Sequence, residues 1–268
     1  MTAARPPRLP AYDDLRAGLI GQWQRLAEVI DSLPDEAFEL PTRLGDWRLA
    51  QLVSHLAGNV ENLLRALDLP PPPVATLDAY SYYDDSADDA AEIAAEARSK
   101  TAGVTPAELR ARLRAAVPAA TAALSDPLDP HRVVRVASGA LPLSDFLVSR
   151  AVEGVVHGLD LAAATGTPPA AEPTAMTAAV RLLAGILVRR TPGRSVELRV
   201  PGPNGVAVQC VEGPRHTRGT PPNVVETEVR SWLELATGRL SWSTAIADGR
   251  VRASGSRADL SAYLPLLS

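Results

Sequence analysis

Apolar residues recur every three or four positions through the first part of the chain, which is the spacing of one face of an α-helix. The pattern predicts four principal helices before residue 165. They are a helix over Tyr12 to Leu33, one that begins at Trp47 with Asp46 as its cap, one that opens at Thr105 with a capping box, and one that follows the cap Ser144. Short or proline-marked connections join them. The predicted fold of this part is therefore a four-helix bundle, in which metal sites form between facing helices.

The spacing of apolar residues changes to every second position after the segment Thr165–Pro169, the best candidate for a domain boundary. We predict a first domain over residues 1–167 and a second, α+β domain over residues 168–268. A helix over Met176–Arg190 is followed by a hairpin made of Val196–Val200 and Val206–Cys210. Further strands are predicted at Val224–Thr227, Trp242–Ile246 and Arg250–Ser254, with a closing helix over Ala258–Leu267.

The helix that follows Ser144 has polar side chains on one stripe only. Glu153 and His157 are four residues apart, so they lie one turn apart on the same face, and Arg150 and Asp160 extend that face. The remaining positions are almost all apolar, which is typical of a buried helix. A buried carboxylate and imidazole need a partner, because leaving them unpaired costs several kcal/mol. A divalent metal would satisfy both, and a simple Glu–His hydrogen bond on a half-exposed helix is the alternative.

A third candidate ligand is His55, at the edge of the apolar stripe of the second helix. If the two helices face each other, His55, Glu153 and His157 form a set of two imidazoles and one carboxylate. Such a set leaves a fourth position open, as in catalytic zinc sites. Asp160 or Arg150 could then act without binding the metal, by orienting one of the ligands or an anionic group.

Composition limits the class of protein. The chain has 268 residues, of which 46% are hydrophobic and 22% charged, with a net charge of -4. This balance predicts no strong attraction to nucleic acid or to an anionic membrane. The start of the chain shows no signal peptide, and no apolar run reaches the roughly 18–20 residues of a membrane span. The single cysteine, Cys210, fits a reducing compartment and is interpreted as core packing. We expect a soluble, cytoplasmic protein.

Two motifs resemble a known family. Leu44-Gly45-Asp46-Trp47 through His55-Leu56-Ala57-Gly58, taken with Arg150-x-x-Glu153-x-x-x-His157-x-x-Asp160, resembles the mycothiol-dependent maleylpyruvate isomerase family, whose members are DinB-like metal-binding bundles. In that family the matching histidine, glutamate and histidine bind zinc, which implies that His55, Glu153 and His157 are the ligands here. The family's Pro-Gly-Trp appears as Gly45-Asp46-Trp47, a departure that leaves the ligands untouched.

The second half carries a further resemblance. Trp232-Leu233-x-Leu235-Ala236-x-Gly238-Arg239 and Gly255-Ser256-Arg257-Ala258-Asp259-Leu260 are similar to the sterol-carrier-like domain of the same proteins. The resemblance implies a zinc enzyme that uses mycothiol for isomerisation or S-transfer on a small electrophilic substrate. A zinc-held thiolate could add to a double bond, allow rotation and leave again. The resemblance also implies an arginine that meets a substrate carboxylate, for which Arg239 is the candidate.

Two other functions remain open from the sequence. The open zinc position could activate water, which would make the protein a metal-dependent hydrolase. Alternatively, the metal could be structural, and the protein a non-catalytic binding protein for an apolar ligand. Imidazole and carboxylate suit several divalent ions, so the residues alone do not choose zinc over nickel or iron.

Overall fold

A computed structural model describes residues 5–84, 86–213 and 222–267 of the chain. It divides into two compact units, Ala11–Met176 and Thr177–Ser268 with Met1–Pro10. The domain boundary predicted after residue 167 lies in the connection between two helices, Leu143–Thr165 and Pro173–Arg190. Its position stays a prediction.

The first unit is the predicted bundle. Its helices are α1 (Tyr12–Ser32), α2 (Leu49–Asp68), α3 (Ser86–Thr101), α4 (Pro106–Ser125) and α5 (Leu143–Thr165). Helices α1 and α2 each pack against both α4 and α5, which closes a four-helix bundle, and α3 packs on α2. A short hairpin, β1 (Val133–Val136) and β2 (Gly139–Pro142), leads into α5. Two 3₁₀ helices lie in the connections, at Asp35–Glu39 and Ser81–Tyr83.

The helices form where local chemistry favours them. The predicted capping box at the start of α4 is confirmed: Thr105 Oγ1 accepts from the Glu108 amide at 3.3 Å, and Glu108 Oε2 accepts from the Thr105 amide at 2.8 Å. The apolar stripe of α1 faces the core, where Leu15, Leu19, Trp23, Leu26 and Ile30 are each at most 2% exposed. Periodicity therefore identified the buried face.

Helix α5 runs through the middle of the bundle. From Phe146 to Ala162 every residue is buried except Glu153, which is half-buried. Two glycines of α5 allow other segments of the protein to pack closely against it. A Cβ at Gly154 would lie 3.0 Å from Gln22 Cγ, and a Cβ at Gly158 would lie 2.9 Å from the Ala170 carbonyl oxygen. The predicted burial of this helix is thus confirmed. In the part of the chain that the structure describes, no helix is both long and apolar enough to cross a membrane.

The second unit contains most of α6 (Pro173–Arg190) and a four-stranded sheet in the order β4-β3-β5-β6. The strands are β3 (Val196–Val200), β4 (Val206–Cys210), β5 (Val224–Thr227) and β6 (Val251–Ser254). The predicted hairpin β3–β4 is confirmed, and β5 pairs parallel to β3. Trp232 of α7 (Val229–Ala236) is 1% exposed, and its Nε1 donates to the Val180 carbonyl at 3.2 Å.

Two expectations for this unit were wrong. The segment predicted as a strand at Trp242–Ile246 is a helix, α8 (Trp242–Ala247), because Ser241 caps it by accepting from the Thr244 amide at 3.1 Å. The predicted closing helix is only a 3₁₀ turn at Ser261–Tyr263. There Asp259 Oδ1 accepts a hydrogen bond from the Ser261 amide at 2.8 Å, and Pro265 has no amide hydrogen to continue a helix.

Candidate metal centre

The facing helices α2 and α5 bring the three predicted ligands together. Glu153 Oε2 lies 3.3 Å from Nε2 of His55 and 3.3 Å from Nε2 of His157. The candidate ligand atoms of the three residues all lie within 4.8 Å of one another. The two imidazole rings meet edge to face, with centroids 4.8 Å apart. Two distant segments of the sequence thus converge on one point inside the bundle.

The separation between each imidazole and the carboxylate fits a tetrahedral metal ion. Ligands arranged tetrahedrally at zinc bond lengths of roughly 2.0–2.1 Å lie about 3.3 Å from one another. Both imidazole-to-carboxylate distances have this length. The side chains are partly shielded, with 19% of His55, 23% of Glu153 and 11% of His157 exposed. A set of two imidazoles and one carboxylate supplies three donors and leaves a position for a further ligand.

Asp160 contacts the ring nitrogen of His157 that is not directed at Glu153. Its Oδ2 lies 3.0 Å from His157 Nδ1, so the imidazole can donate a hydrogen bond there while Nε2 points to Glu153. The Asp160 side chain is fully buried, and its Oδ1 lies 3.3 Å from Nη2 of Arg43. A carboxylate on the second nitrogen fixes the tautomer and the ring orientation of a metal-binding histidine.

Arg150 contacts Glu153 indirectly, through Asn59. Its guanidinium is buried and donates from Nη1 to Asn59 Oδ1 at 2.5 Å and from Nη2 to the Tyr82 hydroxyl at 2.8 Å. Asn59 in turn donates from Nδ2 to Glu153 Oε2 at 3.4 Å. Arg150 also lies over the Phe146 ring, 4.9 Å from its centroid. The Glu153 carboxylate is therefore held by a chain of two hydrogen bonds that begins at the buried Arg150 guanidinium.

The electrostatics of the metal-free site follow from these contacts. Burial opposes protonation of His157, but hydrogen bonds to Asp160 and Glu153 raise its pKa to about 9. Burial alone would raise the pKa of Glu153, yet hydrogen bonds from His157 and His55 hold it well below the usual value. Burial lowers the pKa of His55, against the opposing effect of Glu153. The Glu153 carboxylate is thus ionised, which is the form that binds a cation.

The structure places the predicted residues in two groups. His55, Glu153, His157, Asp160 and Arg150 meet in the bundle, as described. Arg239 follows α7 in the other unit, where its Nη1 donates to the Thr237 carbonyl at 2.7 Å. Its role toward a substrate stays a prediction.

Three residues around the candidate ligands were not predicted from the sequence. Asn59 lies four residues after His55 on α2, so helical spacing could have marked it. Arg43 and Tyr82 lie outside the long helices, Arg43 before α2 and Tyr82 in a 3₁₀ turn, and no periodic pattern points to them. Their contribution depends on tertiary contacts alone.

Cys210 takes no part in the candidate site. It is fully buried at the end of β4, in the other unit. Burial raises the pKa of its thiol to about 12, against a hydrogen bond with Thr191. A thiol that stays protonated at neutral pH is a poor nucleophile, so its surroundings agree with core packing.

Comparison with known proteins gives matches to both units. A family profile described as the mycothiol maleylpyruvate isomerase N-terminal domain matches residues 20–162, and one described as a bacterial SCP ortholog matches residues 172–266. Among solved structures, the chain is similar to the mycothiol-dependent maleylpyruvate isomerase and to a mutant of that enzyme. In each case identity is 17%, the TM-score is 0.59, and the match covers 93% of this chain and 95% of the other. A comparison with curated proteins returned no match.

Proposed function

The chain belongs to the family of the mycothiol maleylpyruvate isomerase N-terminal domain, and we propose that it is a metal-dependent enzyme that uses a thiol cofactor, mycothiol. The reaction proposed is isomerisation of, or S-transfer to, a small electrophilic substrate. The ion proposed is zinc. The observation that supports this most is the convergence of His55, Glu153 and His157, in which each imidazole lies 3.3 Å from the carboxylate, the separation of two ligands on a tetrahedral ion.

Each residue of the site has a role in this proposal. His55, Glu153 and His157 hold the ion, and a bound divalent ion keeps a coordinated thiol in its thiolate form. Asp160 orients the ring of His157 by accepting from Nδ1. Arg150 acts on Glu153 through Asn59 and keeps the carboxylate turned toward the two imidazoles. Three protein ligands leave room for the cofactor and for the substrate beside it.

The surroundings of the ligands suit chemistry with a thiolate. The residues of α5 on either side of Glu153 are buried, and the Trp47 ring lies against His55 with centroids 5.5 Å apart. Trp47 itself is 7% exposed. An environment that limits water strengthens the attraction between the site and an anion and reduces competing hydrolysis. Arg239 remains our candidate for contact with a substrate carboxylate.

Dependence on the thiol distinguishes this function from hydrolysis. With zinc-loaded protein, we expect cis–trans conversion of a small conjugated electrophile, or formation of its thiol adduct, only when mycothiol is present. Absorbance of the conjugated double bond and mass analysis of the products measure both outcomes. Turnover at the same rate without any thiol would contradict the proposal, and hydrolysis products would indicate that the ion activates water instead.

A further inference from the structure

The loop that precedes α2, residues 41–48, reaches the candidate metal centre from outside the helices. It is closed by the Thr42 amide, which donates to the Trp47 carbonyl at 2.9 Å, and by the Leu44 amide, which donates to Thr42 Oγ1 at 3.1 Å. From this loop Arg43 extends to Asp160, with 3.3 Å between Nη2 and Oδ1. Asp160 in turn contacts the ligand His157. The loop is thus linked to a metal ligand through one carboxylate.

We propose that Arg43 is a positioning residue of the metal centre, which acts on His157 through Asp160. Its guanidinium holds one carboxylate oxygen so that the other stays on His157 Nδ1 and Nε2 stays directed toward Glu153, with which it would hold the ion. This inference rests on the proposed metal centre and concerns how its geometry is maintained.

The contacts of Asp160 support this role. The carboxylate is fully buried, and a buried charge needs compensation by partners. Its two oxygens bind different groups: Oδ2 contacts His157 and Oδ1 contacts Arg43. A carboxylate held at both oxygens cannot turn about its side-chain torsion without breaking one contact. Arg43 therefore helps to hold the plane of the carboxylate, and with it the direction of the hydrogen bond from His157.

The position of Arg43 makes the effect measurable without loss of the fold. Its side chain is 30% exposed, so truncation to alanine leaves no buried cavity of its size. Replacement of a group that orients a metal ligand costs about 10–100-fold in metal affinity. Because Arg43 acts one residue further away, we expect Arg43→Ala to weaken zinc binding by about 10-fold. Arg43→Lys should restore part of it, since lysine keeps the charge but not the planar fork.

A zinc titration in competition with a chromogenic chelator tests the proposal. The matched control is Arg48→Ala, in the same loop, where Arg48 is exposed and pairs with Glu39 at 3.6 Å. We expect wild-type affinity in this control. In an Asp160→Asn background, Arg43→Ala should change zinc affinity by less than about 2-fold, because its partner charge is already gone.

Other outcomes would overturn the inference. An Arg43→Ala variant that binds zinc as tightly as wild type would do so, as would an undiminished effect in the Asp160→Asn background. If Arg43 only holds the loop, the metal-free variant would melt at a lower temperature and bind zinc normally. A wild-type chain that binds no divalent ion would overturn the proposed metal centre together with this inference, which separates that failure from the others.

Discussion

Substitution of His157 by alanine should remove the metal from the protein and leave the bundle folded. His157 supplies one of three candidate donors, and two remaining donors hold zinc far more weakly than three. The fold should survive because the apolar stripes of the four helices pack around the site and do not depend on the imidazole. We expect elemental analysis to fall from about one zinc per chain to a trace, with turnover lost and the circular dichroism spectrum unchanged.

The matched control is another histidine. His131 is exposed and lies before β1, outside the candidate ligand set, so His131→Ala should keep the metal. Glu153→Gln gives an independent test, because it removes the ligand charge with little change of volume. If His157→Ala retained zinc at the wild-type level, the proposed centre would be wrong. Loss of the fold together with the metal would indicate a structural ion.

Substitution of Arg150 by alanine should destabilise the bundle strongly. Among the described residues its hydrogen-bond acceptors are all neutral, and truncation leaves Asn59 Oδ1 and the Tyr82 hydroxyl without this donor. Asn59 is buried, and a buried group left unpaired costs about 1–3 kcal/mol; Tyr82 is half-buried and loses less, and the cavity left by the guanidinium adds to the loss. We expect about 3 kcal/mol in the free energy of unfolding of the metal-free protein, a fall of roughly 6–12 °C in melting temperature.

Two further variants serve as comparisons for the stability of Arg150→Ala. Arg114 is 58% exposed and pairs with Asp31 at 3.1 Å, so Arg114→Ala should change stability by less than about 0.5 kcal/mol. Arg150→Lys keeps the charge without the planar fork and should lie between wild type and alanine. A melting temperature of Arg150→Ala equal to that of Arg114→Ala would show that the buried network contributes little to the fold.

Much of the fold was predictable because periodicity and capping are local properties. The stripe from Leu15 to Ile30 marked the buried face of α1, and the alternation in Val196–Val200 marked a strand with one face inside. The family resemblance and the fold class are confirmed. Prediction failed at Trp242–Ile246 and Ala258–Leu267, where a serine cap and an aspartate turn decide the backbone. Hydrogen bonds between these side chains and nearby backbone amides outweigh the strand or helix propensity of a short apolar segment.

Helical spacing predicted the residues of the candidate site that lie on helices, but not those that lie in loops. Glu153 and His157 share a face of α5 by their separation of four residues, and the bundle supplied the reason to place His55 opposite them. Arg43 could not be found in this way, because its contact with Asp160 spans 117 residues and starts from a loop. Pairing across such a distance follows from how the chain packs, which local patterns do not encode.

X-ray absorption at the zinc edge of loaded protein, before and after addition of mycothiol, measures both the proposed protein ligands and the binding of the thiol. We expect a shell of nitrogen and oxygen at roughly 2.0–2.1 Å first, and one added sulfur at about 2.3 Å with the thiol. Cys210 is buried in the other unit, so a sulfur that appears with the thiol belongs to the cofactor. A spectrum without histidine scattering would rule out the proposed ligands, and one that mycothiol leaves unchanged would rule out binding of the thiol to the ion.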